Sequence, residues 1–135
     1  RSDYTVIGDA VNLASRLEGL CKVYKVRLIV SQFTKERLQD KYVVQILDKV
    51  RVKGKKEAVI IYEVLSQGEP TQEKAQELKS YESAYNKYIE GSFEEASLLF
   101  QKLSLQYGKY LYTLYMQRCQ HLATLNPSSF DGIYE

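Results

Sequence analysis

Apolar positions recur at helical spacing near the start of the chain. Val11, Ala14 and Leu17 fall three apart, with Leu13 and Leu20 widening the stripe, and predict a helix from Asp9 to about Lys22 with one buried side. Gly8-Asp9 supplies a flexible residue followed by a good N-cap. Before it, Thr5–Ile7 reads as the end of a strand, and Arg27–Val30, β-branched and alternating, reads as another. Ser31 then offers an N-cap for a short helix from Gln32 to about Gln39, with Phe33, Arg37 and Leu38 spaced for one face. Tyr42–Val52 alternates Val, Ile and Leu with polar residues and predicts a long twisted strand with a bulge near Asp48. The turn Lys53-Gly54-Lys55-Lys56-Glu57 leads to a return strand over Ala58–Leu65. Strand, helix, strand, helix and hairpin in that order make an α+β sheet arrangement.

The pattern changes after Ser66-Gln67-Gly68-Glu69-Pro70-Thr71, a polar stretch with Gly and Pro and no apolar anchor. Tyr81, Ala84, Tyr85 and Tyr88 follow at i, i+3, i+4 and i+7. Gly91-Ser92-Phe93 breaks that run. Ala96, Leu99, Phe100 and Leu103 then share a face within Glu94–Leu105. Gly108 breaks again, and Leu111, Leu114, Tyr115, Arg118, Cys119 and Leu122 keep step through a third helix over Tyr110–Leu125, which Asn126-Pro127 ends. The predicted organisation is a sheet module at 1–65, a linker at 66–71 and an all-α hairpin plus third helix at 72–135. Ala84-x3-Tyr88-x2-Gly91-x-Phe93-x2-Ala96-x3-Phe100 resembles a tetratricopeptide-type helical hairpin, with Ala84 and Ala96 letting the helices close on each other. One such hairpin needs a neighbour to bury its faces, so the third helix, the sheet module or a second subunit is expected to cover it. The three tyrosines read as packing residues with their hydroxyls at the surface.

Charge separates the same two parts. Residues 1–65 carry thirteen Lys and Arg against eight Asp and Glu, a net of +5, while residues 66–135 carry six against nine, a net of −3. Modules of opposite sign point to different partners. At 44% hydrophobic and 27% charged, the 135 residues fit a soluble globular protein. No apolar run approaches the roughly 18 residues of a membrane span. The opening Arg1-Ser2-Asp3 shows no leader pattern, and Cys21 and Cys119 lie far apart with no metal-ligand spacing. The expectation is a cytoplasmic protein with reduced, buried thiols, no metal site of its own, and no role for His121, its one histidine.

The candidate chemistry lies in the first module. Asn12 and Arg16 are one helical turn apart and share a face. An amide and a guanidinium there suit an anionic, hydrogen-bonding ligand such as a nucleotide phosphate. Two bland readings stand beside this one: a surface Arg16 paired with Glu18 or another acid, and Asn12 satisfying the first turn of its own helix. Arg51-Val52-Lys53-Gly54-Lys55-Lys56 is too short, and too free of interleaved aromatics, for a nucleic-acid patch.

The block Tyr4-Thr5-Val6-Ile7-Gly8-Asp9-Ala10-Val11-Asn12-Leu13-Ala14-Ser15-Arg16-Leu17 resembles the V-x-N-x-A-x-R signature of the class III adenylate/guanylate cyclases. Val50-Arg51-Val52-Lys53-Gly54-Lys55, followed by Ile61-Tyr62-Glu63-Val64, resembles the last hairpin of the same catalytic domain. The resemblance implies the second half of a ferredoxin-like cyclase sheet domain. It implies that Arg16 steadies charge on the triphosphate during attack on the α-phosphorus, and that Asn12 orients the ribose. Thr5, with Val6 beside it, would read the base and modestly favour ATP, although Thr also suits a strand by propensity alone. Lys55, with Lys53 as understudy, would neutralise β- and γ-phosphate charge, unless the turn is simply solvated.

The family's metal-binding aspartates lie upstream, and Asp3 and Asp9 do not match them. The resemblance therefore implies Mg²⁺ or Mn²⁺ in a parent enzyme, a homodimer whose other subunit supplies the metal ligands, and a fragment that is inactive alone. It makes ATP the substrate and leaves the helices free for a protein partner. Two competing readings are a non-catalytic dimerisation or docking module and a nucleotide-binding regulator that never cyclises. The tail from Asn126 to Tyr134 looks like the ending that follows such hairpins in bacterial cyclases.

Overall fold

A computed structural model describes the backbone of residues 2–51 and 57–135 and the side chains of residues 13–51 and 57–135. The chain divides into two compact units, Arg1–Glu69 and Pro70–Glu135. Among the described residues there are five helices and one antiparallel three-stranded sheet, an α+β set.

In the first unit, helix α1 spans Ser2–Tyr24. Thr5–Ile7 is therefore helical rather than a strand, and Gly8-Asp9 lies inside the helix instead of capping it. A strand needs a partner for its backbone groups, and among the described residues the three strands of this sheet pair with one another and not with this segment. A helix satisfies those groups within its own segment, so the helical pattern of Val11–Leu20 runs on backwards. The buried stripe also sits slightly round from the predicted one. Leu17, Leu20 and Tyr24 are buried and Leu13 is half-buried, whereas Ala14 is exposed. The helix ends on Lys25 in the left-handed region (φ 55°), with the Val26 amide donating to the Cys21 carbonyl at 3.0 Å. That is the six-to-one bond of a Schellman ending.

Strand β1 (Ile29–Ser31) leads into the short helix α2 (Gln32–Arg37), capped by Ser31, whose hydroxyl accepts from the Thr34 amide at 3.3 Å. Helix α2 buries no residue: on the predicted Phe33/Arg37/Leu38 face, Phe33 and Arg37 are exposed and Leu38 is half-buried. Strands β2 (Tyr42–Arg51) and β3 (Ala58–Gln67) follow, in the sheet order β1-β3-β2. The predicted bulge is present: Ile46 pairs with Tyr62 and Asp48 with Ile61, leaving Leu47 as the extra residue. The inserted residue puts Leu47 and Asp48 among the buried side chains. On the other face, Val44, Ile46, Tyr62 and Val64 remain half-buried.

The second unit is α3 (Gln72–Glu90), α4 (Phe93–Tyr107) and α5 (Tyr110–Leu125). The Thr71 hydroxyl caps α3 by accepting from the Lys74 amide at 3.1 Å. Gly91 (φ 86°) closes α3 with both Schellman bonds: its own amide donates to the Tyr88 carbonyl at 3.0 Å, and the Ser92 amide donates to the Lys87 carbonyl at 2.9 Å. Only glycine adopts that φ without strain. The core is aromatic. Phe100 stacks on Tyr115 with ring centres 5.2 Å apart, and Tyr88 meets Tyr115 edge-on at 5.0 Å. The tyrosine hydroxyls do not uniformly reach the surface as predicted, because Tyr88 is wholly buried and Tyr81 nearly so. A polar link lies within this core: Tyr112 Oη donates to Glu77 Oε2 at 2.5 Å, and Lys74 Nζ donates to Glu77 Oε1 at 2.9 Å.

Candidate functional site

Helix α1 sets the geometry of the candidate site. Its buried side is fixed by Leu17, Leu20 and Tyr24, and the Tyr24 hydroxyl donates to Asp48 Oδ2 at 2.5 Å. Asp48 also accepts from the Lys49 amide at 2.8 Å, so both its oxygens are engaged. A buried carboxylate is tolerated when its lone pairs are satisfied in this way. The link pins the C-terminal end of α1 to the bulge of β2 and fixes the rotation of the helix about its axis.

With that rotation fixed, Arg16 projects into solvent. Glu18, two residues on and therefore roughly 200° round the helix, points elsewhere. It lines a cavity of about 330 Å³ together with Ala14, Cys21, Arg27 and Ser31. The cavity and Arg16 therefore occupy different sides of α1. Helical spacing places position 12 on the side of Arg16. The side chains of Asn12, Thr5 and Val6 lie outside the described residues, as do Lys53 and Lys55. Of the predicted site residues, the described structure thus positions Arg16 alone, as an accessible guanidinium on a rigid helix.

Sequence reasoning missed the Tyr24–Asp48 link and the Glu77–Tyr112 link. The first carried a faint signal, an Asp inside an apolar strand beside an expected bulge. The second carried none, since Glu77 and Tyr112 lie 35 residues apart on different helices. Among the described residues, no group of three or more His, Cys, Asp or Glu stands together to hold a metal ion. No helix of the described residues is long and apolar enough to cross a membrane. Cys119 is buried, and burial pushes its thiol up to about 12, against a smaller opposing pull from Arg118. Such a thiol is inert at neutral pH.

Comparison with known proteins bears on the same unit. Residues 1–66 match the family model of the Adenylate and Guanylate cyclase catalytic domain. The chain is 41% identical over 133 residues to "Adenylate cyclase, terminal-differentiation specific" of Dictyostelium discoideum, an alignment covering 93% of this chain and 6% of that protein. It is 48% identical over 67 residues to an adenylate cyclase of Anabaena cylindrica (47% of this chain, 13% of that protein). It is 38% identical over 65 residues to adenylate cyclase 1 of Rhizobium meliloti (48% and 10%). The chain thus spans a small part of the curated relatives it matches. The Dictyostelium alignment runs well beyond the first unit into the helical one. No solved structure matches the chain. The family-model match lies within the first unit.

Proposed function

We propose that this chain is part of an adenylate cyclase that converts ATP to cyclic AMP and pyrophosphate, and that it supplies the Asn12/Arg16 side of an active site shared between two subunits. The observation that carries the reading is the family match over residues 1–66, which contains the whole Asn12–Arg16 block. The accessible position of Arg16 agrees with it. An exposed guanidinium on a helix pinned at its far end can meet a triphosphate without rearranging, and a preoriented cation stabilises developing phosphate charge. Asn12 would orient the ribose, Thr5 and Val6 would contact the base, and Lys55 and Lys53 would meet the β- and γ-phosphates. Mg²⁺ or Mn²⁺ would be held by carboxylates outside these 135 residues, contributed by the second subunit. The helical unit would be a tetratricopeptide-like extension that docks a protein partner, and the segment would work in the cytoplasm.

A second reading is a non-catalytic dimerisation or docking module. The half-buried apolar face of Val44, Ile46, Tyr62 and Val64 favours it, since such a face is what a partner would cover. Cyclic nucleotide production from Mn-ATP and Mn-GTP separates the two readings, with the chain extended through a whole catalytic domain. Cyclic AMP well above cyclic GMP is expected. A folded dimer that makes neither product would overturn the catalytic reading in favour of the docking one.

A further inference from the structure

Asp48 is a carboxylate in an apolar strand, and the bulge decides where it points. Along β2, Val43, Gln45 and Leu47 are buried while Val44 and Ile46 are half-buried, the alternation of a strand with one covered face. Continued unbroken, that alternation would send residue 48 to the half-covered face with Val44 and Ile46. The extra residue at Leu47 resets the phase, so Asp48 is buried as well, at 2% exposed. There its Oδ2 accepts from the hydroxyl of Tyr24, the last residue of α1, at 2.5 Å, and its Oδ1 accepts from the Lys49 amide at 2.8 Å. The bulge thus aims a buried acceptor at α1.

Other contacts of α1 hold its rotation less firmly. Leu17 and Leu20 are buried, but apolar burial is non-directional. Beside Ala14, Leu17 and Cys21 the cavity of about 330 Å³ leaves the helix without close packing on that side. A buried hydrogen bond between two side chains, by contrast, weakens steeply with angle. Arg16 precedes Tyr24 by roughly two turns, about 12 Å along the axis of the same helix. At a helix radius of about 5–6 Å, a rotation of about 10° moves a side-chain tip by about 1 Å. A displacement of about 1 Å at a reacting group can cost about 10²-fold in rate.

We propose that Asp48 is a positioning residue for the phosphate chemistry assigned to Arg16: through Tyr24 it sets the rotation of α1, and so the direction of the guanidinium. The proposal rests on the cyclase reading above. Asp48 and Tyr24 are both buried, so they act through the helix and not on the nucleotide.

The test uses the chain extended through a whole catalytic domain, with kcat and KM measured for cyclic AMP formation from Mn-ATP and thermal unfolding recorded beside them. Tyr24→Phe deletes the hydroxyl and keeps the ring. It should lower kcat at least about tenfold, with KM moving less than about threefold. In an Arg16→Ala background the same substitution should cost less than about threefold, because the group it aims is gone. Asp48→Asn, whose amide oxygen can still accept from Tyr24, should keep more of kcat than Asp48→Ala, and this pair supplies the comparison if Tyr24→Phe does not fold. A Tyr24→Phe enzyme with kcat within about twofold of the unmodified one, while Arg16→Ala has lost about 10²-fold or more, would overturn the positioning role and leave the cyclase reading standing. So would equal losses from Tyr24→Phe in both backgrounds, which mark a general loss of structure. An Arg16→Ala enzyme with full turnover would instead overturn the cyclase reading, and the proposal with it.

Discussion

The two units bury their apolar residues in different ways. The helical unit closes on itself: a continuous aromatic cluster runs from Tyr81 through Phe100, Tyr115 and Tyr88 to Phe93, and its one buried carboxylate, Glu77, is met by Tyr112 and Lys74. The sheet unit buries one face, where Leu47, Ile61 and Val59 meet, and leaves Val44, Ile46, Tyr62 and Val64 half-covered on the other. A unit with a closed core draws stability from internal packing. A unit with a half-covered face and an exposed arginine has surface to spend on partners. Substitutions in the first should therefore change folding, and the informative ones in the second should change function.

The largest effect is expected from Phe100→Ala. The ring is wholly buried between Tyr81 and Tyr115, so its loss should destabilise the helical unit by about 3–5 kcal/mol, read by thermal unfolding. An unchanged melting profile would mean that the cluster does not hold this unit together. Next come the two buried carboxylates among the described residues. Glu77→Ala strands the Tyr112 hydroxyl and should cost about 1–3 kcal/mol, with Glu77→Gln recovering part of it. Asp48→Ala should cost a similar ~1–3 kcal/mol in the sheet unit by stranding Tyr24 and the Lys49 amide. If Asp48→Ala instead lowered the stability of the helical unit, the division into two units would be wrong.

Smaller again is the Thr71→Ala cap removal, at roughly 1 kcal/mol. A further effect appears only at alkaline pH. The folded Cys119 thiol sits near 12 against an ordinary value of 9.0, so the unfolded chain loses its proton first as pH rises. The stability contributed by this group is whole below about pH 9 and falls away as pH climbs towards 12. Cys119→Ala should flatten that alkaline decline, as followed by denaturant titration between those limits. At pH 8, alkylation of the native chain should modify the partly exposed Cys21 ahead of Cys119.

The helical unit was the more legible in sequence, because its order is local. The i, i+3, i+4, i+7 spacing of Tyr81–Tyr88 and the glycines at 91 and 108 mark its helices and breaks within the segments themselves. The hairpin of β2 and β3 and the bulge at Leu47 were legible for the same reason. Thr5–Ile7 was misread because strand propensity says nothing about whether a partner strand is at hand. The buried face of α1 was placed slightly wrong because Tyr24, its strongest anchor, is chosen by Asp48 from across the fold. Of the candidate site, the arginine was found by motif resemblance, whereas the link that holds its helix in place depends on a contact 24 residues away.

The most direct test of the central claim is Arg16→Ala in the extended, active protein, measured for cyclic AMP formation from Mn-ATP beside a thermal unfolding scan. Arg16 is exposed, so stability should move by no more than about 0.5 kcal/mol, while turnover should fall by about 10²–10³-fold. Turnover that survives the substitution, or a loss that merely tracks unfolding or failed assembly, would contradict the assignment of Arg16 to the chemistry.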